Sequence, residues 1–140
     1  MVNLRPYSTL FLTLGGLFLM AMGIYFIFLR PPLLPEDLKY MGSSIAEIQN
    51  NLPRLSGWLQ KVFWVMGGYI LTTGLLSVYV AQTTFRTRAQ GSLVMVLIST
   101  VTSISLMAVV NFMIGSDFKW VLTAFVLPWI VALILYCFHK

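Results

Sequence analysis

Four runs of apolar residues without a single charge, Tyr7 to Leu29, Val62 to Ala81, Ser92 to Ile114 and Trp120 to Phe138, limit most severely what this chain can fold into. At about 1.5 Å per residue of α-helix, each is long enough to cross a hydrocarbon layer of ~30 Å. Inside such a layer every backbone N–H and C=O must find a partner, and a helix supplies them all locally. The runs predict an all-α fold, an integral membrane four-helix bundle, with residues 1–140 forming a single transmembrane domain. Tyr7 to Leu29 is read as a retained span, because it ends in Arg30-Pro31-Pro32 where a cleaved leader would end in small residues.

Composition points the same way. Hydrophobic residues make up 59% of the chain and charged residues 9%, against about 25% charged in an ordinary soluble domain. The formal charge of +5 comes from nine scattered Lys and Arg against four acids, with no basic run interleaved with aromatics. Nucleic acid is therefore excluded as the expected partner, and bases at span ends facing anionic headgroups account for the charge. One cysteine, Cys137, and one histidine, His139, are too few for a zinc site, an iron–sulfur cluster or a bis-histidine haem. No metal and no cofactor are expected. Cys137 reads as a lipid-facing apolar residue and His139 as an interfacial polar tip.

The expected extramembrane segment, Arg30 to Lys61, holds three of the four acids, Glu36, Asp37 and Glu47. Pro35 can open a short turn through Tyr40 that Gly42 stops, and Ser44 with Glu47 has capping-box spacing. Ile45, Ile48 and Leu52 then share one side of a short helix ending before Pro53, expected to lie on the membrane surface with its apolar side down. The other links, Gln82 to Gly91 and Gly115 to Lys119, are short enough to make tight antiparallel hairpins. Four spans put both termini on one side. Arg5, Arg86, Arg88 and Lys140 fall there, against Arg30, Lys39, Arg54, Lys61 and Lys119 opposite, and the concentration of Arg86 and Arg88 in a short loop favours cytoplasmic termini.

Glycines mark packing faces. Gly16 and Gly23 are a heptad apart, as are Gly67 and Gly74, so each pair is expected on one face where spans one and two approach closely. The similar spacing in the two spans suggests an internal repeat, although glycine is common enough in membrane helices to account for it. Pro128 predicts a kink in span four, because the carbonyl of Ala124 loses its donor.

Span three is the polar one. On an ideal helix Thr100, Ser103, Met107 and Asn111 share a side, with Thr102 and Ser105 pointing away. Asn111 is expected to face the bundle interior and to bond a hydroxyl of Thr72, Thr73 or Thr123. No span contains an acid, so the usual mark of ion or proton transport is missing. At the membrane edge on the long-loop side, Arg30, Glu36, Asp37, Lys61, Asp117 and Lys119 gather with the aromatics Trp64 and Trp120. These residues, with Tyr69 and Asn111, are the candidate ligand or partner residues. None is a catalytic candidate: Glu36 and Asp37 are adjacent and splay about 100° apart on a helical turn, and only a folded-back loop would bring Asp117 to them.

Leu33-Leu34-Pro35-Glu36-Asp37, Met66-Gly67-Gly68-Tyr69 and Thr73-Gly74-Leu75-Leu76 resemble segments of small four-span bacterial membrane proteins grouped as domains of unknown function. The resemblance covers roughly the first half of the chain. Where the related pattern carries an Arg-Ala pair before Tyr-Gly-Gly, this chain has Phe63-Trp64 and Met66, with Lys61 the nearest base. The resemblance implies a four-span fold in a bacterial inner membrane and no activity. Two functional readings follow from the residues. The first is a non-enzymatic accessory or interaction subunit that binds a lipid or a membrane protein, a second copy included. The alternative is a protein that binds, or acts on, a small apolar molecule such as a quinone or lipid, with Asn111 and Asp117 as polar anchors in a pocket framed by Trp64, Tyr69, Trp120 and the kink at Pro128.

Overall fold

The computed structural model describes residues 5–138; His139 and Lys140, assigned above to the interface and to the terminal side, lie outside the described residues. Helix α1 is Arg5–Phe28, followed by the short helices α2, Pro35–Met41, and α3, Ile45–Asn51. Helix α4, Leu55–Val80, continues through a π-helical turn, Ala81–Phe85. The third long element is α5, Ser92–Thr100, a second π-turn, Val101–Ser105, and α6, Leu106–Met113. Helix α7, Lys119–Phe138, completes the fold. Four of these elements are long and apolar enough to cross a membrane, and no strand occurs among the described residues. Their outer faces carry exposed Leu10, Leu17, Leu75, Leu97, Ile130 and many similar side chains. Such faces suit lipid and not water, and the chain is an integral membrane protein.

The short helices form for local reasons. Gly42 ends α2 in the left-handed conformation (φ 65°), where a side chain would be strained. Ser44 caps α3: its Oγ accepts from Glu47 N (3.2 Å), and Glu47 Oε2 accepts from Ser44 N (2.8 Å) and Ser43 Oγ (3.0 Å). The Ser44 amide and these hydroxyls hold the Glu47 carboxyl below the usual carboxylate range. Ile48 is buried, while Ile45 and Leu52 are exposed.

Helix α1 sits between α4 and α7, and α7 in turn carries α5 and α6. The central place of α1 follows from two adjacent glycines. A Cβ at Gly16 would lie 3.0 Å from the carbonyl oxygen of Gly74 on α4, and one at Gly15 would lie 2.5 Å from the indole nitrogen of Trp129 on α7. Further along the same seam, Gly23 faces the backbone of Leu71, and Gly67 faces that of Gly23 and Ile27. Spans one and two thus touch backbone to backbone, as the glycine spacing predicts. Near the other end Gln82 Nε2 donates to Thr13 Oγ1 (2.8 Å).

The apolar core lies elsewhere, around Leu12, Leu19, Ile104, Leu122, Val126 and Trp129; the second span gives it the buried Ala81 and Phe85, with the partly buried Ile70 and Val80 packed against it. Spans two and three pack closely only at the end that carries their connecting loop. That end is sealed by Arg88, whose Nη1 donates to the carbonyl of Tyr136 (2.8 Å) near the end of α7, while its guanidinium lies 4.2 Å from the Tyr136 ring centre. A cation there complements the helix dipole. Toward the long loop, α4 and α6 separate.

Three expectations change. Helix α4 begins at Leu55, so Lys61 lies on a helix and not in the loop, and the span runs past Ala81 to Phe85. Thr100 does not share the cavity wall with Asn111: it is buried away from it and donates to the Val96 carbonyl (2.7 Å), whereas Thr102 lies on that wall with Ser103, Met107 and Asn111. The π-turn explains this, because its i→i+5 bonding takes up an extra residue and rotates everything before it relative to α6. Asn111 finds no hydroxyl on another helix. Its Nδ2 donates to the Met107 carbonyl one turn back (2.9 Å), and Thr73 and Thr123 likewise bond their own helices at Tyr69 and Lys119.

Candidate functional site

Where α4 and α6 separate, a cavity of about 800 Å³ opens, walled by all four spans and closed on the long-loop side by α2. Its walls are overwhelmingly apolar, from Leu19, Met22, Phe63, Ile70, Leu106 and Phe125 among others. The stacked rings of Phe18 and Phe125 (4.7 Å between centres) pack the α1–α7 side.

The polar groups concentrate at the α2 end. Arg30 follows α1 directly, its backbone N–H still bonded to the Tyr25 carbonyl (2.8 Å), and its side chain is only 11% exposed. The guanidinium lies 3.5 Å from the Phe63 ring centre and 5.3 Å from that of Phe26, a cation–π arrangement between two spans. Nη2 reaches Asp37 Oδ2 at 3.4 Å and Nη1 donates to the Pro31 carbonyl at 3.1 Å. Burial lowers the Arg30 pKa from its ordinary value, and the Asp37 charge opposes that shift. Arginine stays charged regardless.

Helix α2 is tied down on both sides. Asp37 turns back: the same Oδ2 accepts from the Leu34 N–H (2.9 Å), which fixes the start of the helix. Glu36, splayed away as adjacent helical residues must be, accepts on Oε1 from Ser116 Oγ (3.3 Å) in the loop between α6 and α7. Ser116 is 1% exposed and is held by Phe118 N donating to its Oγ (3.1 Å) and by its own N–H donating to the Asn111 carbonyl (2.9 Å). The two carboxylates therefore make α2 a strap from span one to the span-three/span-four hairpin.

Of the sequence candidates, the structure brings Arg30, Glu36, Asp37, Tyr69 and Asn111 to one cavity. Lys61, Trp64, Asp117, Lys119 and Trp120 are not on its wall. Asp117 is exposed beside Ser116, and Trp120 stands edge-on to Phe112 on the outer surface (5.2 Å). Pro128 is buried away from the cavity. Sequence reasoning missed Phe26 and Phe63, the rings that hold Arg30, and Ser116, the anchor of Glu36. The last had one local signal, a serine directly after Gly115, whose left-handed backbone (φ 69°) ends α6. The chain matches no family model, no curated protein and no solved structure.

Because the Asn111 amide bonds only its own helix, Asn111→Ala is expected to cost no more than about 0.6 kcal/mol, the average for interhelical hydrogen bonds in a membrane protein. A melting curve of the purified variant checks this. A loss of several kcal/mol would mean that the side chain holds two helices together.

Proposed function

We propose that this membrane protein binds a small apolar molecule, a lipid or lipid-like amphiphile, in the cavity between spans two and three. The observation that carries the reading is the cavity itself: its volume falls in the range of about 300–1,000 Å³ usual for small-molecule sites, and apolar walls with a few convergent polar groups are the usual chemistry. The parting of α4 from α6 lets an acyl chain enter sideways from the bilayer, so the ligand never has to cross water. The alternative, an accessory subunit docked on a protein partner, has no comparable surface feature behind it. Asn111 and Tyr69 contribute to the wall, and Arg30, Glu36 and Asp37 form the polar end.

The test is mass spectrometry of protein purified in mild detergent, compared with Leu106→Trp, which places an indole in the cavity from its α6 wall. The wild type is expected to carry a stoichiometric amphiphile and the variant to lose it. Wild-type protein free of any such molecule, or equal loading of both proteins, refutes the reading.

We further propose that the termini are cytoplasmic and that α2 and α3 face outward, in a bacterial inner membrane as the resemblance implies. Arg86 and Arg88 support this through the retention of basic residues in short cytoplasmic loops. An impermeant thiol reagent is expected to label Ser43→Cys in intact cells of a Cys137→Ser background. Labelling only after the membrane is opened reverses the orientation.

A further inference from the structure

We infer that the polar end of the cavity selects a headgroup bearing a primary ammonium, and that it disfavours anionic and quaternary-ammonium headgroups. This rests on the proposed binding of an amphiphile in the same cavity.

One cation and two carboxylates lie on the cavity wall, Arg30 against Glu36 and Asp37, so their formal charges sum to −1. Arg30 is already engaged through two of its five N–H donors, Nη2 on Asp37 and Nη1 on the Pro31 carbonyl, and its guanidinium lies 3.5 Å from the Phe63 ring centre with Phe26 nearby. A headgroup of net negative charge approaching Arg30 meets the Asp37 and Glu36 carboxylates beside it, whereas a zwitterion that presents its ammonium to them is attracted. The acids, by contrast, keep open acceptors. Glu36 uses Oε1 for Ser116, and Asp37 uses Oδ2 for both Leu34 and Arg30; Glu36 Oε2 and Asp37 Oδ1 have no hydrogen-bond partner among the described residues.

Two unfilled carboxylate oxygens at the polar end of an apolar cavity call for a donor-rich cation. A primary ammonium has three N–H donors, and its bonds to carboxylate are charge-assisted, roughly twice as strong as neutral ones. A quaternary ammonium has no N–H and relies on free aromatic faces. Phe63 and Phe26 already hold Arg30, and the other rings on the wall, Tyr25, Tyr69, Phe118 and Phe125, leave such an ion without a hydrogen bond to the two open carboxylate oxygens. The position is also right for an amphiphile: α2 lies where headgroups sit, and the cavity runs from it toward Asn111 and Ser103, leaving the lipid tail among apolar side chains.

The experiment is native mass spectrometry of the full chain equilibrated with an equimolar mixture of phosphatidylethanolamine, phosphatidylcholine and phosphatidylglycerol of identical acyl chains. The ethanolamine lipid is expected to be retained over each of the others by about tenfold, the yield of one well-made hydrogen bond to a charged group. Glu36→Gln removes a charge and keeps an oxygen for Ser116, and it is expected to abolish most of that preference without lowering the melting temperature appreciably. Equal or greater retention of phosphatidylglycerol or phosphatidylcholine by the wild type overturns the headgroup inference and leaves the cavity reading intact. Equal binding of all three lipids by the wild type and by Leu106→Trp overturns both, since the lipid would then sit outside the cavity.

Discussion

Gly23→Leu and Gly74→Leu are each expected to remove most of the folded protein. A Cβ at Gly23 would stand 2.5 Å from the backbone nitrogen of Leu71, and one at Gly74 would stand 2.7 Å from both the Gly16 carbonyl oxygen and the Met20 nitrogen. These neighbours are backbone atoms of an apolar helix, which cannot swing aside as a long side chain does. Even one methyl group therefore forces α1 and α4 apart along their whole contact, and leucine adds three more carbons. Overpacking in a well-packed core typically costs about 1–3 kcal/mol. The cost here falls at the upper end, because span two has little other support: its buried positions within α4 are Gly67, Gly74 and Ser77, all on the face toward α1 or near its end. Gly68→Leu is the control. Nothing lies within 4 Å of a Cβ at that position, so a leucine there meets lipid and leaves the fold unchanged. Yield after size-exclusion chromatography and an unfolding titration in mild detergent measure the difference. Normal yields for both seam variants would show that spans one and two do not pack through these glycines.

Trp129→Ala is expected to be the most damaging truncation in the core. Trp129 is 1% exposed and the largest of the fully buried side chains, and the nitrogen-bearing side of its indole packs on Gly15 of α1 while the side chain shares the core with Leu12, Leu19 and Val126. Lipid tails are as apolar as the core, so the stabilisation comes from close contact and not from escape from water. Removing the indole leaves a void whose lining atoms lose their partners, and Trp→Ala changes at buried sites cost roughly 3–5 kcal/mol. Trp129→Phe separates packing from polarity. The Trp129 Nε1 has no hydrogen-bond partner among the described residues, so phenylalanine gives up volume but also removes a buried donor that nothing satisfies. The phenylalanine variant is therefore expected to lose less than half of what alanine loses in the same unfolding titration. Equal losses would mean that the indole nitrogen has a partner, such as a lipid or water, that contributes to stability.

Much of this architecture is local in origin, and local features are what a sequence displays. The four spans follow from charge-free runs of sufficient length, the end of α2 from Gly42, the start of α3 from the Ser44–Glu47 pair, and the α1–α4 seam from glycines a heptad apart. Where the sequence misled, the cause is physical in each case. Hydropathy reports where lipid begins and not where a helix begins, so it places the turns from Leu55 to Lys61 outside the span although they belong to α4. An ideal helical wheel assumes a constant rotation per residue, and the π-turn at Val101–Ser105 breaks that assumption, moving Thr102 onto the cavity wall and Thr100 off it. An amide among lipid tails calls for an interhelical partner, yet for Asn111 a carbonyl on its own helix accepts from Nδ2. Local pattern thus accounts for the number of spans, the short helices and the face on which spans one and two meet. The divergence of spans two and three, the strap that α2 makes across the opening through Asp37 and Glu36, and the hold of Phe26 and Phe63 on Arg30 arise from the packing of the helices. The deciding contacts, Arg30 with Phe63 and Glu36 with Ser116, join residues far apart in the chain, and they depend on the relative placement of whole helices, which no local pattern encodes.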